Sequence, residues 1–409
     1  MSLGSINFVP GSRCQTKFRQ MKYLYATILL VVVMSHQGCK QPAMHNADIH
    51  WESEPLFGSE DGLMGIGVAG AVTGTFGELF VVAGGANFPH GMPWDGGIKQ
   101  YHDSGAVYQY SAGKTIDKVF KFCLTQPLAY AACISTPKGI VFAGGENQDG
   151  AVKTVWLLRL DGPKERVLID SLPDLPYSAT NASMALHGTT IYFTGGENKE
   201  KVHADILALE LDSSEKGWKT LSAMPEARTH TSVGCLKFAG SANLVIVGGR
   251  QRQINAPSVI FETVYRLDLS SLQWRSCASF PTSIAAGTYI NLQDTGLLLI
   301  GGDVGKLYQQ TEMLIQATAT ETDAKKKGIL EDHRKRLQQT HPGFSNQVWL
   351  YQPVNNQWRK LGDLPFPTPV TSTAIQQGSY ILIPSGELKP GVRSTKLIVG
   401  QRSALNNEK

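Results

Sequence analysis

With 409 residues the chain is long for one ordinary domain and short for three, leaving one large β-architecture or two domains open. Its 42 glycines and 20 prolines point to many turns rather than long helices, and 42% hydrophobic against 18% charged residues is the balance of a soluble globular protein. The formal charge of +4 belongs to the first 39 residues, which hold four basic groups (Arg13, Lys17, Arg19, Lys22) and no acidic one; the rest has 38 − 4 = 34 basic against 34 acidic residues, which excludes an electrostatic nucleic-acid footprint.

Residues 1–39 read as a leader. Met21-Lys22 precedes the apolar run Tyr23 to Met34, about 12 residues, which is too short for a bilayer core that needs ~20 and has the length of a signal-peptide h-region. Gly38-Cys39 at its end resembles a bacterial lipoprotein signal, with Cys39 as the lipidated N-terminus and a possible point of membrane attachment. His36 and Gln37 stand where small or aliphatic residues are usual, so plain secretion with a cleaved leader stays open. Residues 1–20 read as an upstream extension, which makes Met21 a candidate start. Either route implies export to the periplasm. Beyond the leader, Cys123, Cys133, Cys235 and Cys277 show no CxxC pair and no close histidine spacing for zinc. Buried free thiols are expected for all four, with a Cys123–Cys133 bridge open, and no metal or cofactor is implied.

From residue 79 onward one pattern recurs: an apolar β-run ending in a glycine pair. Its instances are 79–87, 140–147, 191–198, 244–251, 297–304 and a degenerate sixth, 380–388, with Ser385 in place of the first glycine. The first glycines (Gly84, Gly144, Gly195, Gly248, Gly301) are spaced by 60, 51, 53 and 53 residues. A second apolar strand pattern, an aromatic strand around Trp218, Trp274 or Trp358, and a Pro-rich turn complete the cycle. Four short strands per repeat of about 50 residues is how a propeller blade reads, and the motifs resemble kelch repeats over residues 50–400. The last repeat lacks its aromatic fourth strand, while the mature chain begins with an orphan one, Ile49-His50-Trp51-Glu52. The expected fold is therefore all-β, a six-bladed propeller over 48–402 closed by the N-terminal strand. Residues 305–345 interrupt the fifth blade with helical composition and mixed charge, read either as a lid or as a solvated decoration.

Residues following each glycine pair should ring the channel: Ala86, Glu146, Glu197, Arg250, Asp303 and Glu387, with Asn87, Asn147, Asn198 and Gln251 next. Such a polar funnel suits a hydroxylated ligand, so Asn87, Glu146, Asn147, Glu197, Asn198, Arg228, Arg250 and Asp303 are candidate substrate-binding residues. The competing reading is that they bond neighbouring blades, and for Arg228 that it braces its own. His90, His102 and His230 lack metal spacing and read as ordinary hydrogen-bonding histidines. In Gly386-Glu387-Leu388-Lys389-Pro390-Gly391-Val392-Arg393, Pro-Gly suits a type II turn that brings Glu387 and Arg393 together from adjacent strands. A carboxylate beside a guanidinium is a proton acceptor with an anion clamp, or a structural ion pair.

That GExKPGxR segment resembles the signature of the sialic acid mutarotases, or N-acetylneuraminate epimerases, exported six-bladed kelch-type propellers. The insertion before FSNQVWLYQPVNNQW resembles the family's own, and 83–103 resembles the opening of a branch whose blades are circularly permuted. The resemblance implies Glu387 as proton acceptor and Arg393 as a second active-site residue. It implies anomer interconversion of N-acetylneuraminate: Glu387 moves the anomeric proton, and Arg393, alone or with Arg228 or Arg250, holds the carboxylate. Among rivals, a sialidase should show SxDxGxxW-type boxes, whose nearest match at 212–218 lacks the pattern. A copper radical oxidase needs a Tyr/His constellation that cannot be assembled. A non-catalytic sugar- or protein-binding propeller remains the alternative of another class.

Overall fold

In the computed structural model, residues 49–402 are described, except 112–114, 162–165 and 293–295; the leader, with Cys39, lies outside the described residues. Six four-stranded antiparallel sheets account for the repeats. The first runs Val72–Phe76, Leu79–Ala83, Ser104–Ser111 and Thr115–Cys123, and the later blades repeat that order outward from the axis. The sixth takes three strands from the C-terminal repeat, Ile375–Gln377, Tyr380–Pro384 and Lys396–Arg402. Its outermost strand is Ile49–Pro55, paired antiparallel with Lys396–Arg402 so that Trp51 faces Gly400. The protein is a six-bladed β-propeller closed by its N-terminal strand.

The glycine pair is explained where blades meet. The first glycine has a left-handed backbone (Gly84 φ 65°, Gly195 φ 62°), and a Cβ there would lie 2.4 Å or less from a carbonyl oxygen of the next blade, Leu128 or Arg228. The second donates its N–H to that same carbonyl: Gly85 to Leu128 (2.8 Å) and Gly196 to Arg228 (3.0 Å). In the sixth blade the left-handed position is Ser385 (φ 56°). Its Oγ accepts the Val68 N–H (2.9 Å) and lies within donating distance of the Val68 and Ser394 carbonyls (2.7 and 2.6 Å), so a hydroxyl ties the last blade to the first. The tryptophans do the corresponding work at the outer strands. Trp218 Nε1 donates to Pro173 O (2.8 Å), Trp274 to Ser222 Oγ (3.0 Å) and Trp358 to Ala278 O (3.0 Å), each reaching the preceding blade. Period-2 alternation leaves both faces of these sheets apolar, and the core is accordingly distributed between neighbours. Met184, Phe193 and Leu207 of the third blade, for example, pack with Val141 and Leu157 of the second.

Between Leu297–Ile300 and Gln347–Gln352 of the fifth blade stand two helices, α1 (Lys306–Thr320) and α2 (Ala324–Gln339). The Asp323 side chain caps α2 by accepting the N–H groups of Lys325 and Lys326 (2.9 and 3.0 Å), which fixes the reversal between them. The pair is moored at several points. On α1, Glu312 accepts the Ser258 N–H and hydroxyl (2.7 and 2.8 Å) of a fourth-blade loop; on α2, Lys335 pairs with Asp95 of the first blade (2.6 Å). The C-terminal end of α2 also receives Lys389 Nζ at Gln339 O (3.3 Å). The insertion thus spans from the fourth blade to the first across the end of the axis where the glycine pairs point.

Candidate active site

The six residues after the glycine pairs occupy one equivalent position. Each makes an isolated antiparallel bridge to the residue preceding an inner strand: Ala86 to Ala69, Glu146 to Ala129, Glu197 to Thr180, Arg250 to Thr229, Asp303 to Ala285 and Glu387 to Val370. One residue further in lies a second ring, which the repeat pattern in the sequence does not single out. Gly70, Tyr130, Asn181, His230, Ala286 and Thr371 all have φ between 50° and 67°. Their backbones bond from blade to blade: Tyr130 N–H to Gly70 O, Asn181 to Tyr130, His230 to Asn181, Ala286 to His230 and Gly70 to Thr371, all between 2.8 and 3.0 Å. The recurring clue was one variable residue flanked by Ala, Thr or another small residue in every repeat.

Between the fourth to sixth blades and the helical insertion lies a cavity of about 340 Å³, within the range of small-molecule sites. The ring supplies Arg250, Asp303 and Glu387; the insertion supplies Tyr308, His341 and Phe344. The last three had no signal beyond the insertion's presence, because nothing in a charged helical stretch says which side chains face inward.

Glu387 and Arg393 are direct cross-strand partners on the hairpin of Glu387–Lys389 and Val392–Arg393, turned by Pro390-Gly391 with Gly391 at φ 79°, as type II geometry requires. Glu387 Oε1 lies 2.7 Å from Arg393 Nη1 and accepts the Gly391 N–H (2.9 Å). The two side chains are not equally available: 20% of Glu387 is exposed but only 2% of Arg393. Arg393 Nε donates to Ala86 O (3.1 Å), and its guanidinium lies 5.4 Å from the Phe88 ring centroid. Burial opposes its charge, yet Glu387 and Tyr130 push its pKa up. Arg393 therefore stands behind Glu387 and orients it. Arg393 is not among the residues that line the cavity, so a direct clamp on a substrate carboxylate is not what this geometry displays. The arginine on the cavity is Arg250, bonded to Glu197 and to Tyr308 Oη.

Asp303 Oδ1 accepts the Gly305 N–H (2.8 Å). Burial holds its carboxyl above the usual carboxylate range and the Glu387 charge adds to this, against the Gly305 N–H, His341 and Arg250. Burial pulls the His341 pKa down, with Asp303 and Glu387 opposing. Its Nδ1 accepts the Gly343 N–H (3.1 Å), so in the neutral ring the proton sits on Nε2. At the cavity floor burial, then Arg250, hold His230 well below its ordinary pKa.

The remaining candidates are elsewhere. Glu146 accepts from Lys99 Nζ (3.0 Å) and Tyr101 Oη (2.7 Å), off the cavity, and Tyr101 is pushed up to about 12 by burial and this bond. The three asparagines are braces. Fully buried Asn87 donates to Leu63 O and Gly67 O (2.7 and 2.9 Å) and meets His102 Nε2 at 2.9 Å. Asn147 and Asn198 fold back on their own turns, accepting from Asp149 N and from Glu200 and Lys201 N. Arg228 is fully buried, donating to Gly248 O, Thr263 O, Thr263 Oγ1 and Glu226 Oε2 between 2.5 and 3.1 Å, with Phe261 against its plane. In this structure the contacts of these four brace the blades, to main chain throughout and, for Asn87 and Arg228, to the side chains of His102, Thr263 and Glu226 as well, and none of the four lines the cavity. All four described cysteines are free, so the 123–133 bridge is absent; Cys133 and Cys235 are buried as expected, whereas Cys277 is half-buried and Cys123 exposed. Among the described residues no three His, Cys, Asp or Glu side chains cluster as metal ligands.

Residues 172–407 match the family model described as N-acetylneuraminate epimerase. Relatives of that name include those of Salmonella paratyphi B, 23% identical over 229 residues (55% of this chain, 56% of the relative), and Salmonella arizonae, 24% over 227 residues with the same coverage. The Haemophilus influenzae protein is 23% identical over 232 residues, 57% of this chain and 60% of its own. The match thus spans little more than half the length of these relatives.

Proposed function

The chain belongs to the N-acetylneuraminate epimerase family, and from that premise we propose that it is a mutarotase interconverting the α and β anomers of N-acetylneuraminate. One observation carries the reading: a carboxylate fixed by a buried guanidinium, Glu387 against Arg393, stands at a roofed cavity of small-molecule size into which Arg250, Asp303, Tyr308 and His341 bring polar groups among apolar walls. Glu387 takes the proton of the anomeric hydroxyl as the ring opens to the 2-ketone and returns a proton when the ring closes on the other face. Arg250, the arginine on the cavity, faces the sugar's carboxylate; Tyr308, His341 and Phe344 cover the ring. The demand on the protein is modest. If free sugar re-equilibrates over minutes, the barrier is about 21 kcal/mol, and turnover near 10 per second needs roughly 5 kcal/mol removed. Acid–base assistance worth about 10²–10⁴-fold, with positioning, suffices. The reading includes export, supported by the charged and apolar pattern of residues 21–39, with a lipid on Cys39 as its anchored form.

The test is proton NMR of N-acetylneuraminate freshly released by a sialidase, with and without catalytic protein. The expected result is accelerated anomer equilibration at substoichiometric protein, lost in Glu387→Gln. Anomer populations that shift only in proportion to the protein added would instead identify a sugar-binding propeller.

A further inference from the structure

Opening a cyclic hemiketal moves two protons: one leaves the anomeric hydroxyl and one must reach the ring oxygen as its bond to C2 breaks. Glu387 serves the first. Resting on the mutarotase reading above, we propose that Asp303 serves the second, as the proton donor to the ring oxygen.

Three observations converge on it. Asp303 and Glu387 hold the same ring position in the adjacent fifth and sixth blades, shown by their equivalent bridges to Ala285 and Val370. Both line the one cavity. Their surroundings divide the labour. Glu387 is ion-paired to Arg393 at 2.7 Å and also accepts a backbone N–H, the environment of a proton acceptor. Asp303 is half-buried with its Oδ1 on the Gly305 N–H, faced by Arg250 from the fourth blade, His341 from the insertion and Glu387 from the sixth, and burial favours its protonated form. Two carboxyl groups in one site with contrasting environments is the arrangement that assigns an acid and a base. His341, whose Nδ1 accepts the Gly343 N–H, lines the same cavity beside Asp303.

The balance closes. On opening, Glu387 gains the hydroxyl proton, that oxygen becomes the ketone, the C2–ring-oxygen pair stays on the ring oxygen, and Asp303 protonates it. After rotation about the bond from C2 to C3, the oxygen attacks the other carbonyl face, Asp303 recovers its proton, and Glu387 returns one to the new hydroxyl. Both carboxyls end as they began.

The test is Asp303→Asn, which keeps the volume but cannot release a proton at this pH, compared with wild type by anomer-equilibration NMR across pH. We expect the catalysed rate to fall at least ~10²-fold with KM within about threefold. The wild-type rate should decline as pH rises through the Asp303 range, and the variant should lose that alkaline limb. In Asp303→Ala, formate buffer should restore rate in proportion to its protonated form. A variant within about threefold of wild type would overturn the role of Asp303 while leaving the mutarotase reading standing; a wild type without acceleration would overturn both. If neither variant folds, the wild-type profile decides, and a catalysed rate that shows no decline as pH rises above the ordinary aspartate range refutes the proposal.

Discussion

Arg393, paired with Glu387, and Arg250, on the cavity that Glu387 lines, should separate in their kinetic effects. Arg250 lines the cavity, 14% of its side chain exposed; Arg393 shows 2%, ion-paired with Glu387 and donating from Nε to Ala86 O. Arg250→Met removes the cation that, under the proposed function, faces the sugar's carboxylate. Hydrogen bonds to charged groups contribute about 1.5–3 kcal/mol, so KM for N-acetylneuraminate should rise about 10- to 150-fold, with a smaller change in kcat. Arg393→Lys keeps a charge but not the fork that reaches Ala86 O and Glu387 together. The Glu387 carboxylate is then free to shift by an ångström, and a displacement of that size costs on the order of 10²-fold in kcat, with KM within about threefold. The assay is anomer equilibration by NMR over a series of sugar concentrations, with circular dichroism as the control for folding. If Arg393→Lys raises KM as Arg250→Met does and leaves kcat alone, the buried arginine touches substrate and the positioning argument is wrong.

Two further predictions concern the frame. Arg228→Met breaks a buried charged network, at about 3–5 kcal/mol; with an unfolding entropy near 2.1 cal/mol/K per residue over roughly 350 residues, Tm should fall by about 4–7 °C in calorimetry while KM stays within about twofold. Ser385→Ala removes the hydroxyl joining Val68 to the last blade and leaves buried main-chain groups unmet, at about 1–3 kcal/mol. Hydrogen exchange in Ile49–Pro55 and Lys396–Arg402 should quicken before that of the middle blades, and uniform quickening would refute a closure role.

Blade count and closure were legible because they rest on repetition: a glycine pair makes its case five times over, with Ser385-Gly386 as the sixth, and an outer strand at Trp51 without a blade needed a blade without an outer strand. The Glu387–Arg393 pairing was legible because a Pro-Gly turn fixes register locally. What escaped was everything decided by which way a side chain turns at the end of a strand. Asn87 and Arg228 are chemically apt for a sugar, yet main-chain carbonyls nearby claim them first. Arg393 reads as a clamp until its burial is known. His341 and Tyr308 reach the cavity from a segment whose composition announces helix and nothing more.

In the inner ring, of which His230, Ala286 and Thr371 line the cavity, five residues other than glycine hold a left-handed backbone, an expense on the order of 1–2 kcal/mol apiece set against main-chain bonds running from blade to blade. Because those bonds involve only peptide groups, they are indifferent to what projects above them: one circle already carries a phenol, a carboxamide, an imidazole, a methyl and a hydroxyl at Tyr130, Asn181, His230, Ala286 and Thr371. Such a ring can be rewritten one letter at a time without loosening the frame. Ligand preference can therefore drift through descent while the architecture beneath it stays put.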